Sequence, residues 1–234
     1  MRVGFESSVR LGDQVLHASP TDQLKSDIVT AILSDSTALT KIDKLVLVDS
    51  TGTERDSASV TPSVSGKYVN GSVQITATAS YTCTKVRLYS GTKKYFEATL
   101  SSSVSIVQGV KYNVSFTIAV NVTWSVSTAP GTVSAAGEVL SNRIASRLAG
   151  GTDSVTVAKA SYLDSSGAVL LSVSLTKDTT NKTFGHSDTY FTASGNLATI
   201  QVLATDNVAL YSCDISPVAV TTSDSIAMSF TLSV

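Results

Sequence analysis

With 234 residues, 42% of them apolar and 15% charged, the chain has material for one large or two ordinary domains and is not disordered as a whole. Its 17 Lys plus Arg against 18 Asp plus Glu leave a formal charge of -1. That balance excludes a basic packaging protein and gives no long-range pull toward nucleic acid or an anionic membrane. Ser and Thr dominate the polar residues, and Glu occurs only at Glu6, Glu54, Glu97 and Glu138, a poor composition for a mostly helical protein.

The first residues, Met1 to Ser8, lack the apolar stretch of a secretory signal, so no export signal is expected. Residues 1–19 read as an N-terminal arm with room for a strand over Val3 to Val9. The first helix signal follows. Ser19 is the expected N-cap and Pro20 the first helical position, with Leu24, Ile28 and Ile32 on one stripe. Strands are expected over Lys44 to Val48, Ser72 to Ala79, Lys85 to Tyr89, Tyr95 to Leu100 and Tyr112 to Val120. In the last of these Val114, Phe116, Ile118 and Val120 share one face and Ser115 and Thr117 the other, the alternation of a half-buried strand.

Residues 121–133, with Trp124, Pro130 and Gly131, read as a joining segment. A second helix is expected from an N-cap at Ser134, through Leu140, Ile144 and Leu148, to Gly150-Gly151. Strands are then expected over Val155 to Leu163, Ala168 to Leu175, Tyr190 to Ala193, Ala198 to Ala204, Val208 to Asp214 and Ile226 to Val234. The run Ala168 to Leu171 is among the longest apolar stretches and is far too short to span the ~30 Å hydrocarbon layer, so no membrane association is expected.

The two halves resemble each other at an offset of about 115 residues. Leu24-Lys25-Ser26-Asp27-Ile28 faces Leu140-Ser141-Asn142-Arg143-Ile144. Leu45 to Gly52 faces Ala160 to Gly167 through a shared Asp-Ser-Ser/Thr-Gly turn. Asn113 to Val120 faces Ala227 to Val234 through an identical Ser-Phe-Thr. The expected fold is therefore mainly β: two tandem antiparallel β-sandwich modules, jelly-roll or immunoglobulin-like, over 20–120 and 134–234, each with one short helix.

Chemistry is hard to find. Of the two histidines, His17 lies in the arm and reads as solvated. His186, in Gly185-His186-Ser187-Asp188, reads as part of a polar turn, because the motif lacks the glycine of a nucleophile elbow. Asp49, Asp56, Asp164, Asp188 and Asp206 stand in turn contexts, where bonding to nearby backbone explains them. Lys93-Lys94 reads as a charged hairpin tip. Cys83 and Cys213 are too far apart in the chain for a zinc knuckle and read as free thiols. No catalytic residue, metal site or cofactor motif is identified, and the chain reads as a non-enzyme. Of four Asn-X-Ser/Thr sequons, at Asn70, Asn113, Asn121 and Asn181, the loop-placed Asn70 and Asn181 are the glycosylation candidates, ahead of Asn113 within a strand.

In composition and layout, quoted on the landmarks Leu45 to Gly52 and Ala160 to Gly167, the chain resembles virion structural proteins of the capsid, vertex-turret, penton, decoration or tail-tube kind, including those of archaeal viruses. The resemblance implies a homo-oligomer that contacts itself and other virion proteins, made in the host cytoplasm and resident in the particle, with residues 1–19 touching the shell. Deleting residues 1–18 is then expected to leave both modules folded. The alternative is a surface adhesin or carbohydrate-binding module, for which Trp124, Tyr89, Tyr95, Tyr162 and Tyr190 are the available aromatics. Few carboxylates imply a stability that depends weakly on pH.

Overall fold

The computed structural model describes residues 1–128 and 131–234, so Pro130 of the expected joining segment lies outside the described residues. The chain is mainly β, with antiparallel sheets and two α-helices. Its elements are β1 (Arg2–Leu11), β2 (Gln14–Pro20), α1 (Asp22–Leu33), β3 (Lys44–Asp49), β4 (Glu54–Ser59), β5 (Ser63–Ser65), β6 (Tyr68–Thr76), β7 (Tyr81–Ser90), β8 (Lys93–Ile106), β9 (Lys111–Thr128) and β10 (Gly131–Ala136). There follow α2 (Glu138–Ala149), β11 (Val157–Asp164), β12 (Val169–Ser174), β13 (Thr176–Asp178), β14 (Thr183–Tyr190), β15 (Gly195–Ala204), β16 (Ala209–Val220) and β17 (Ser225–Thr231).

Apart from β10, which leads into α2, seven strands follow each helix, and the two sets pair alike. In the first half β4-β3-β7-β8 and β5-β6-β9 are neighbours in order; in the second, β12-β11-β15-β16 and β13-β14-β17. Immunoglobulin sheets run A-B-E-D and C-F-G. Here the first strand after each helix sits between the second and the fifth, so the immunoglobulin connectivity is not the one adopted.

The register repeats as well. Leu47, Val86 and Ala98 lie side by side across β3, β7 and β8, as Tyr162, Ile200 and Cys213 do across β11, β15 and β16. Both β7–β8 and β15–β16 carry a register shift beyond that row, between Cys83 and Lys85 and between Leu197 and Thr199. Each helix is fastened to the turn between those strands by an ion pair of opposite polarity. Asp27 of α1 accepts from Lys93 Nζ at 2.8 Å, while Arg143 of α2, the matching position, donates to Asp206 at 2.8 Å.

Residues 2–20 correct the expectation of an arm. β1 and β2 form a hairpin closed at Gly12, whose φ of 58° is in the left-handed region that glycine adopts without strain. β1 pairs with β9 along its whole length, from Arg2↔Thr123 to Leu11↔Val114, and β2 pairs with β8 at Ala18↔Ala98. The hairpin thus stitches the outer edges of the first two sheets into one curled sheet of ten strands that also includes β10. Val3, Val9, Leu11, Leu16 and Ala18 are buried in its interior.

The joining segment is corrected in the same way. Residues 121–128 continue β9, and Trp124, expected in a connection, is wholly buried against second-half aromatics: Tyr211 at 4.9 Å, Phe230 at 5.4 Å and Phe184 at 6.1 Å between ring centroids. β9 then pairs with β10, which leads into α2 as β2 leads into α1. The loops after the two helices also meet. Ser36 Oγ accepts from the backbone N–H of Val155 at 3.0 Å, Thr156 Oγ1 donates to the Ala31 carbonyl at 2.6 Å, and the Ile42 N–H donates to the Leu148 carbonyl at 2.9 Å. The buried apolar residues accordingly form one cluster reaching through both halves. A duplicated topology has closed around a shared core.

Helix boundaries differ from expectation by small shifts with local causes. Pro20 ends β2, and Thr21, not Ser19, caps α1 by accepting from the Leu24 N–H at 3.4 Å. Gly137, not Ser134, precedes α2, because Ser134 is drawn into β10. A Cβ on Gly137 would come within 2.5 Å of Val122 Cγ1 and 2.7 Å of Trp124 Nε1, so only glycine lets α2 start against β9. α2 ends as expected at Gly150, in the left-handed conformation.

Candidate functional site

The Asp-Ser-Ser/Thr-Gly landmarks are built as one device used twice. Asp49 Oδ1 accepts from the N–H and hydroxyl of Thr51 and from the Thr53 N–H, at 2.7–2.9 Å. Asp164 Oδ1 accepts from the N–H and hydroxyl of Ser166 and from the Ala168 N–H, at 2.6–2.9 Å. Each carboxylate therefore closes the tight turn leaving the first strand after its helix. Hydrogen bonds from Thr51, with those from Arg55 and Thr53, hold the Asp49 carboxyl well below the usual range, and those from Ser166 and Ala168 do the same for Asp164. Asp206 accepts from Arg143 at a turn.

Asp56 and Asp188 lie in strands, not turns. Asp56 is buried and accepts from the N–H and hydroxyl of Thr78 at 3.0 and 2.6 Å. Gly185-His186-Ser187-Asp188, expected as a turn, is part of β14. His186 is buried, with Nε2 2.6 Å from the Tyr162 hydroxyl and Nδ1 2.8 Å from the Ser187 carbonyl. Burial pushes the Tyr162 hydroxyl pKa up, so this hydroxyl stays protonated and can donate. With both ring nitrogens engaged and the ring in the core, the pair ties β11 to β14. His17 is exposed on β2.

Lys93 and Lys94 begin β8 and are drawn into ion pairs with Asp27 and Glu97. Glu97 also binds Lys85 and Arg87, and Arg87 reaches Glu54. Burial alone would raise the Glu97 carboxyl, but its bonds to Arg87, Lys94 and Lys85 outweigh that and hold it at about 2. Several carboxyls are thus depressed in the folded state, against the expectation of weak pH dependence. A carboxyl with a lowered folded pKa contributes stability that is complete above its unfolded value and is lost as pH falls through the folded one. Urea midpoints should therefore stay flat from neutrality down to about pH 5 and fall steeply between about pH 4 and 2. Midpoints that hold to pH 2 would contradict these assignments.

Among the aromatics offered for a sugar groove, Trp124, Tyr95 and Tyr162 are fully buried, and the Tyr89 hydroxyl donates to Glu54. Tyr190 is 64% exposed. A more concave feature went unnoticed in the sequence: a cleft of about 810 Å³ between the β5–β6 turn, β9 and the start of α2, lined in part by Lys67, Tyr68, Asn121, Glu138 and Asn142. Lys67 Nζ donates to Asn121 Oδ1 at 2.6 Å and Tyr68 is 46% exposed. These residues come from both halves, so no single sequence window carried the signal.

Asn181 stands exposed in the turn before β14, as a glycan acceptor must. Asn70 is instead half-buried within β6, its Oδ1 accepting from Thr117 Oγ1 at 2.9 Å. Cys83 and Cys213 are free thiols, the first buried and the second half-buried. Among the described residues no cluster of His, Cys, Asp or Glu is grouped for a metal ion, and no helix is long and apolar enough to cross a membrane. No family model, curated protein or solved structure matches this chain.

Proposed function

We propose that this chain is a structural subunit of a virus particle, working through contacts with its own copies and with other virion proteins, each half a small β-sandwich with its own strand connectivity. The observation that carries this reading is the fusion of two copies of one topology into a single body, by β9 running through both halves and Trp124 set among second-half aromatics. A body of that kind transmits load between its two ends without a flexible joint. The conspicuous polar groups support the same reading. Asp49 and Asp164 close turns, Asp27 and Arg143 fasten helices, and His186 is locked in the core.

A second reading rests on the cleft. Tyr68, flanked by Lys67, Asn121, Asn142 and Glu138, offers an aromatic face with amide and charged groups around it, the combination a carbohydrate-binding module uses. Negative-stain microscopy of the purified protein separates the two. Rings, tubes or closed particles are the expected result. A persistent monomer that binds on a glycan array, and loses that binding in Tyr68→Ala, would replace the first reading with the second.

A further inference from the structure

The hairpin β1–β2 covers the outer edges of β8 and β9 in the first half. The matching edges in the second half belong to β16 and β17. Among the described residues no strand pairs with the outer side of β16, which at 12 residues is the longest unpartnered edge of the three sheets. Residues at matching positions record the difference. Ala98 is fully buried beside Ala18 of the hairpin, whereas its counterpart Cys213 is half-exposed. Val114, beside Leu11, is likewise fully buried, whereas Met228, at the matching place in the shared Ser-Phe-Thr stretch, is only partly so.

Exposed edges in natural sheets are guarded by brevity, charge or cover, because their free N–H and C=O groups template pairing. The edges of β4, β5, β12 and β13 follow that rule, whereas β17, uncharged over its seven residues, shares the exposure of β16 at little more than half its length. β5 and β13 have three residues each, and β4 begins Glu54-Arg55-Asp56. The Leu170 carbonyl of β12 is covered by the N–H groups of Thr192 and Ala193. Over Tyr211 to Ser216 β16 is neither short nor covered; it carries a single charge, and its register with β15 shifts only after Asp214. Its one charge, Asp214, is held by Thr199 Oγ1 at 2.8 Å, and Val218 farther along is 53% exposed.

We propose that β16 is the self-association edge of this protein: two copies pair antiparallel through the Tyr211–Ser216 stretch about a two-fold axis, joining their four-stranded sheets into one of eight strands. A second copy is the occupant because an antiparallel edge is complementary to itself under a two-fold axis, and because the single bound carboxylate raises little like-charge opposition. The stretch is also the counterpart of the one that this same chain covers with its own strand in the first half. Pairing ends at Pro217, which has no N–H to donate. The inference rests on the assembly reading and names its surface.

The test is sedimentation velocity on the full chain from micromolar to submillimolar concentration, with Ser212→Lys/Ser216→Lys as the variant. Both serines are exposed, so a folded variant is expected by circular dichroism. A dimer that the variant weakens at least tenfold supports the proposal. A wild-type dimer joined by a short bis-maleimide through Cys213, with buried Cys83 unreacted, supports it where the variant fails to fold. Oligomers that survive the folded variant unchanged overturn the β16 assignment and leave the assembly reading in place. A monomer at every concentration overturns the β16 assignment as well, and an absence of particles by microscopy would then count separately against the assembly reading.

Discussion

Removing residues 1–20 will unfold the first half of the protein instead of trimming an appendage. β1 lies between β2 and β9, and β2 between β1 and β8, so the deletion strips paired backbone from two strands of the remaining sheet. Among the buried side chains it removes are Val3, Val9, Leu11 and Leu16. At ~1.5–3 kcal/mol for each such side chain, their burial contributes on the order of 6–12 kcal/mol. That is comparable to the whole stability of an ordinary domain, ~5–15 kcal/mol. The truncated chain should be insoluble, or should lose the dispersed amide signals of β8 and β9 in an NMR spectrum. A truncated chain with an intact first-half spectrum would restore the arm.

The second large effect belongs to Trp124→Ala, with an expected loss of about 3–5 kcal/mol in urea denaturation. The ring is wholly buried and touches Phe184, Tyr211 and Phe230, which come from β14, β16 and β17. The cavity would open where the first-half strand enters the second half's interior, so the loss should appear as earlier unfolding of the second half, followed through the environment of Tyr211. Trp124→Phe keeps most of the packing and should cost clearly less. Equal losses from the two variants would mean that the ring's size is not what holds the halves together.

What the sequence made legible was whatever is written in a local period or a local turn. The alternation Val114, Phe116, Ile118, Val120 gave the buried face of β9, and the Asp49 and Asp164 turns gave the duplication, because in both cases the signal sits within a few residues. The charged strand Glu54–Ser59 was missed, since its polar residues are satisfied by partners across the fold, such as Thr78 for Asp56. Gly185 to Asp188 read as a turn because of its polarity, while the Tyr162 hydroxyl that makes His186 acceptable in the core lies on another strand.

The place of residues 1–20 was hidden for a related reason. In the second half the equivalent of β1 is the continuation of β9 itself, so the repeat has no visible start and the hairpin looked like a prefix. The cleft around Tyr68 needs residues more than fifty positions apart, which no motif scan brings together.

β9 crosses from one half into the other as a single unbroken strand, sealed by the hairpin on one side and by the shared core beyond it. Hydrogen–deuterium exchange over residues 116–125 measures this directly. Slow exchange running without a break through Val120, Val122 and Trp124 is the predicted result. A fast-exchanging stretch at 120–124 between two protected ones would mean two separately folded bodies on a flexible connection, and would contradict the account.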